Sequence, residues 1–315
     1  MVFIKVENGG YFVDKETGEM IPVPPKSEIR TKEERDQMRE IVEYKNELAL
    51  QNNELNKVRG NLCGEFFWTT YEDGKSYYPD IPDDMLAKII YLLTYLDYDK
   101  NILVVRDSVT EPYRPMLRDD VQKLIRLHRC NFSNFWKKLL ATGIISENED
   151  GSLSVSPHFF RGKLSKSDKQ GSAAMKIFTH AVRYLYENTE VRSHRYLAYL
   201  YRLIPYISLK YNILCFNPLE TQDTNIRKMT AKDLCELLGM DESHQKRLID
   251  TLLNLSFVDK CGDERSVIRV IVDKKNSERR NFILINPQFY SGYIQETDLL
   301  STLKEFTAGK EDLLV

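Results

Sequence analysis

Two clusters of polar side chains have the types and spacing needed to read nucleic acid. The first is Asn131, Ser133, Asn134, Lys137 and Lys138, and the second is Ser243, His244, Gln245, Lys246 and Arg247. An Asn or Gln amide bonds two positions on the adenine edge, while Arg or Lys reaches guanine or a phosphate. A third group is purely basic. Lys274, Lys275, Arg279 and Arg280 stand in the stretch 273–280, which suits phosphate contacts or insertion in a minor groove. Arg161 and Lys163, in a Gly/Ser/Lys-rich stretch, add candidate phosphate contacts. The alternative for each cluster is an ordinary solvated helix face or a soluble turn. The tip Glu147-Asn148-Glu149-Asp150 has the opposite sign and should be repelled by phosphate. It leaves open whether the first unit meets DNA or protein.

Residues for catalysis are harder to find. The sequence has no phosphate-binding Gly-rich loop, no HExxH and no GxSxG. His128, His158, His180, His194 and His244 are scattered without metal-ligand spacing. Cys63, Cys130, Cys215, Cys235 and Cys261 are odd in number and include no CxxC pair, so reduced thiols are expected rather than a disulfide framework or a metal site. The expectation is a non-enzymatic protein without cofactor or metal. Net charge is −2, which argues against a generally basic nucleic-acid coat but not against local positive patches.

The elements that must carry these residues follow a repeated order. Residues 1–60 read as an appendage: a hairpin around Tyr11 to Ile21, then a helix from Thr31 to about Val58 with Thr31 and Glu34 in capping-box positions. The unit 61–165 begins with a strand at Phe66, Phe67, Trp68 and Tyr71. Pro82-Asp83-Asp84 then opens a helix with a dense apolar stripe. The short strand Ile102 to Val105 comes next, then a helix from Leu117 to Leu127 and a turn at His128-Arg129-Cys130-Asn131. Ser133 caps a second helix that ends at Gly143, and a hairpin turns through Asp150-Gly151. Residues 166–192 form a linker and connecting helix. The unit 193–315 repeats the order, with Thr230 and Asp233 starting a helix closed by Gly239, and the next helix starting at Asp241 and Glu242. Ser156-Pro157-His158-Phe159-Phe160-Arg161-Gly162 echoes Asn286-Pro287-Gln288-Phe289-Tyr290-Ser291-Gly292 at the two ends, the mark of a duplicated unit.

The segment from Phe66 to Lys163 resembles the winged-helix region of replication and DNA-binding proteins from phages and plasmids of Gram-positive bacteria. The resemblance is carried by Ile89-Ile90-Tyr91-Leu92-Leu93-Thr94-Tyr95-Leu96-Asp97-Tyr98-Asp99, the strand Ile102 to Val105, Asn134-Phe135-Trp136-Lys137-Lys138-Leu139, and His158-Phe159-Phe160-Arg161-Gly162-Lys163. It implies a DNA-reading helix over residues 131–141 and a phage or plasmid context. The acidic first tip departs from a tight DNA contact.

The expected fold is mostly α with small β wings (α+β), as tandem winged helix-turn-helix domains with an N-terminal appendage. The expected function is sequence-specific binding of double-stranded DNA in replication initiation or transcription regulation. The alternative is a winged-helix adaptor for replication or transcription proteins, with no DNA specificity of its own. A homodimer through the 31–58 helix is open. The lack of a long apolar run or signal-like N-terminus predicts a cytoplasmic protein with no membrane partner.

Overall fold

The computed structural model describes residues 2–6, 9–13, 20–22, 39, 41–43, 64–71, 80–162, 173–273, 280–292 and 306. Two compact units divide the chain, Met1–Arg59 and Gly60–Val315. The first holds strands β1 (Val2–Val6), β2 (Gly9–Val13) and β3 (Met20–Pro22) in an antiparallel sheet. Tyr11 faces Pro22 and Val13 faces Met20, so the hairpin read at Tyr11 to Ile21 is present. Of the helix read at 31–58, only Arg39 and residues 41–43 are described, and these are helical.

The second unit is α+β with small antiparallel sheets. Its first half runs β4 (Phe66–Tyr71), α1 (Asp83–Leu93), β5 (Val104–Val105), β6 (Arg114–Pro115), α2 (Arg118–Ile125), α3 (Arg129–Ala141), β7 (Ile145–Glu147), β8 (Leu153–Val155) and β9 (Phe159–Phe160). The second half runs β10 (Ala173–Phe178), α4 (Thr179–Asn188), α5 (Arg195–Arg202), α6 (Ala231–Leu237), α7 (Gln245–Leu253), β11 (Ser256–Val258), β12 (Glu264–Ser266), β13 (Ile268–Asp273), β14 (Arg280–Ile285) and β15 (Tyr290–Ser291).

The halves repeat each other down to backbone hydrogen bonds. The Val155 N–H donates to Asn101 O, and the Ile285 N–H to Asn212 O, both at 2.9 Å. Met116 donates to Leu103 O at 2.8 Å, and Met229 to Leu214 O at 2.9 Å. Asn101 and Asn212 share a left-handed backbone, at φ 50 and 56. Asn tolerates this conformation because its short amide bonds locally. Here Asn101 Nδ2 donates to Val155 O, and Asn212 Nδ2 to Ile285 O and Tyr290 O.

One four-stranded sheet joins the halves in the order β15-β10-β4-β9. β4 and β10 pair antiparallel at its centre, from Phe66 opposite Phe178 to Tyr71 opposite Ala173. The aromatic echoes after Pro157 and Pro287 form the two outer strands. Gly292 is needed at its position, since a Cβ there would lie 2.8 Å from Leu209 backbone atoms. Helices α1 and α5 also pack together, each with a fully buried alanine, Ala87 and Ala198. Arg183 donates to Thr94 O at 2.7 Å and lies over the Tyr95 ring at 4.1 Å. A single apolar core therefore runs through both halves.

The region read as linker and connecting helix, 166–192, thus contains the central strand β10 and helix α4. Its first part, together with Lys163, lies outside the described residues. Helix α3 also starts earlier than its sequence suggests. His128 is the N-cap, and Ser133 is a residue inside the helix. The reason is Phe132, which is 3% exposed and extends the apolar stripe of Phe135, Trp136 and Leu139 backwards by one turn.

The C-cap of α2 is Arg126, in the left-handed region at φ 53. The second half has Gly239 there, at φ 65. An arginine held in this region carries strain that glycine does not. Arg126→Gly is expected to raise the unfolding free energy by roughly 1 kcal/mol, read as a higher urea midpoint at unchanged slope. Lower stability would mean that packing of the arginine side chain outweighs the strain.

Between the halves, His194 stacks on Tyr186 at 4.1 Å, and Tyr186 stacks on Tyr91 at 4.0 Å. Burial holds the His194 imidazole below its ordinary value. The unfolded chain then takes up the proton first as pH falls, so stability drops below about pH 6.5. Urea midpoints measured from pH 7.5 to 5.5 should fall in the native protein and fall less in His194→Phe. Parallel curves would remove His194 as the cause.

Candidate nucleic-acid interface

Helices α2 and α3 form a bent pair in the first half. Helix α2 starts at Leu117, whose side chain offers no acceptor. Only the reciprocal capping bond forms, from the Leu117 N–H to Asp120 Oδ2 at 3.0 Å. Phe132, Phe135, Trp136 and Leu139 face α3 into the core. The opposite face presents Asn131, Ser133, Asn134, Lys137 and Lys138, all exposed. The structure therefore brings the first cluster together on one solvent-facing surface.

Four further bases join it, and cluster-by-cluster reading of the sequence missed them. Arg118, Lys123, Arg126 and Arg129 are exposed on the same helix pair. None of these four, nor Lys137 or Lys138, forms a salt bridge among the described residues. Within 118–143 the six bases face only Asp119 and Asp120, and a charge count over that window is the signal that would have found them.

Asp120 is partly offset by an arginine that it shares with Asp107. Arg114 bonds both its carboxylate oxygens, at 2.7 and 3.0 Å, and holds Asp107 at 2.7 Å. Hydrogen bonds from that guanidinium hold both carboxyls below their usual range. The Arg118 guanidinium lies over the Phe132 and Trp136 rings, at 5.8 and 5.5 Å from their centroids. Its charge is thereby pre-positioned at the junction of the two helices.

The neighbouring tip is acidic for a partly structural reason. Asp150 Oδ1 accepts from the Ser152 N–H at 2.9 Å and from its hydroxyl at 2.6 Å, which closes the turn and lowers the Asp150 carboxyl. Glu147 and Glu149 are exposed. Arg161 leaves the candidate set. Its guanidinium turns inward, donating to Leu96 O at 3.1 Å and pairing with Glu65 at 3.2 Å, with 18% of the side chain exposed. A half-buried, paired arginine has little to offer a phosphate.

In the second half, Thr230 and Asp233 form the full capping box of α6. Glu242–His244 is a 3-10 turn and α7 begins at Gln245. Ser243, His244, Lys246 and Arg247 are exposed, and Gln245 is half-buried. The charge balance is reversed here. Lys232, Lys246 and Arg247 stand against Asp233, Glu236, Asp241, Glu242 and Asp250 within 231–256. Lys232 is further engaged with Glu242 at 3.0 Å.

Strands β13 and β14 pair in register from Ile268 opposite Ile285 to Asp273 opposite Arg280, so the second hairpin is present. Its tip residues Lys274, Lys275 and Arg279 lie outside the described residues. Arg280 is described only as the first residue of β14.

Among the described residues no group of acids, histidines and cysteines is placed to hold a metal ion, and no helix is long and apolar enough to cross a membrane. Cys215 and Cys235 are buried free thiols, and Cys130 and Cys261 are exposed free thiols. Comparison with family models, curated proteins and solved structures returns no match.

Proposed function

We propose that the chain is a tandem winged-helix protein that binds double-stranded DNA, with α2 and α3 of the first half as the main contact surface. The carrying observation is the set of six exposed bases on that pair, none in a salt bridge among the described residues, against two acids of which Asp120 is ion-paired with Arg114. The order helix, extended segment, helix, helix, hairpin runs through both halves, with isolated bridges at Ile213 and Cys215 in place of the β5 strand and the β11–β12 hairpin added in the second half, and it supports the winged-helix reading. On this reading α3 enters the major groove. Asn131 and Asn134 contact base edges, and the lysines and arginines contact phosphates. The acidic β7–β8 tip is held off the backbone. A phage or plasmid replication initiator or transcription regulator, acting in the cytoplasm without a catalytic step of its own, fits this chemistry.

The adaptor reading has one observation in its favour. The equivalent surface of the second half is acidic on balance, which suits a protein more than a phosphate backbone. The test is binding to the DNA flanking the chain's own gene, at two salt concentrations and with scrambled competitor. Competitor-resistant binding that weakens with salt supports the proposal. No binding at low salt would move the weight to the adaptor.

A further inference from the structure

A groove of about 1440 Å³ opens in the second half between the 223–228 segment, the start of α6, the region of α7 and strands β13 and β14. Comparison with the first half explains why it is there. Ala231, Gln245 and Ile249 line it. They stand at the places that Arg118, Phe132 and Trp136 hold in the first half, counted from the matching N-caps Leu117 and Thr230 and the matching left-handed residues Arg126 and Gly239. In the first half those three large side chains pack together, with the Phe132 and Trp136 rings tilted at 39° and 5.7 Å apart. The second half has the same frame without the rings. Its groove floor is apolar, from Ile226, Val270 and Ile283, with Phe216 at the mouth 47% exposed.

The rim also differs in sign. Glu242 and Asp250 occupy the places of Arg129 and Lys137, and Asp223 adds a third carboxylate. Arg227, Lys228 and Lys246 line the same groove. A rim of both signs complements a polypeptide that carries both signs. A phosphate backbone would meet no net positive charge there, since the three carboxylates balance the three bases and Lys232 already holds Glu242. We propose that this groove docks a segment of a partner protein through an aromatic side chain, which restores the ring volume that the first half supplies from its own α3. The inference goes beyond the DNA reading of the first half and does not depend on it. The two halves divide the work, one frame filled and basic, the other open and mixed in charge.

The test uses the full chain with labelled isoleucine methyls and N-acetyl-tryptophanamide as the probe. Saturable shifts at Ile226 and Ile283 are expected. They should weaken by about tenfold or more in Gln245→Phe/Ile249→Trp, which copies the filled frame. Ala231→Arg, at a half-exposed helix start, is the second variant should the double variant unfold. Duplex DNA titrated in parallel should leave Ile226 and Ile283 unmoved. Absence of saturable shifts, shifts that persist undiminished in a folded variant, or shifts driven by DNA instead would each overturn the proposal. Failure of DNA binding alone would leave these methyl shifts in place and count only against the first-half reading.

Discussion

Replacing Arg129, Lys137 and Lys138 together with alanine is expected to weaken duplex-DNA binding by roughly 100-fold or more near physiological salt, and to flatten the log–log salt dependence by about three. The three side chains are exposed and make no salt bridge among the described residues. Fold stability should therefore change little, within about 0.5 kcal/mol. The expected loss lies in counterion release, because each base that neutralises a phosphate frees a bound cation. The matched control is Lys232, Lys246 and Arg247→Ala in the second half. That surface already carries more acids than bases, so its loss of affinity should be much smaller. Electrophoretic or fluorescence titration at several salt concentrations reads both variants. If the control variant loses more than the first, the DNA-contacting helix is α7 of the second half and not α3.

The largest expected effect on stability is at Asn212. This residue is 0% exposed, sits at φ 56, and donates to Ile285 O at 3.1 Å and to Tyr290 O at 2.6 Å. It ties β14 and the outer strand β15 to the turn that precedes Ile213 and Leu214. Asn212→Ala removes both donors from buried carbonyls and puts a Cβ-bearing residue without a local bond in the left-handed region. The expected cost is roughly 3–4 kcal/mol, a fall in Tm of roughly 6–16 °C for a unit of this size. Asn212→Gly should cost about 2 kcal/mol, since the backbone strain is then absent and only the bonds are lost. The difference between the two variants isolates the strain. Asn101→Ala should cost about 2 kcal/mol, because its amide is half-buried and makes one short bond, to Val155 O at 2.7 Å. Equal losses at Asn101 and Asn212 in thermal or urea unfolding would contradict this ranking.

Much of the local architecture was legible in the residues. The α1 stripe, the Pro82 helix start, the Thr230–Asp233 capping box and the Asp150-Gly151 turn all stand where pattern and turn chemistry put them. Each is decided within a few residues of itself. The repeat was legible too, because Pro-x-aromatic-aromatic-x-Gly recurs in the chain and ends as the two outer strands of one sheet. The exposed face of α3 followed from the same apolar periodicity, once Phe132 is counted with its partners.

Other features depended on residues far apart in the chain. Ala173 to Phe178 has little β-branched character and no clean alternation, and it is a strand because β4 lies beside it. Arg161 looked free in a basic stretch, but Leu96 O and Glu65 draw it inward. Asp120 stands among the bases of α2 in the sequence, and the fold ties it to Arg114. Periodicity, caps and turns report what a segment does with its neighbours in sequence, so the sequence alone determined most of the helices, the hairpin turns and the duplicated order, but not strand β10 or the start of α3. Pairing of β4 with β10, the shared core, the net charge left on α2 and α3, and the open groove beside α7 are set by distant partners, and only the tertiary structure decided them.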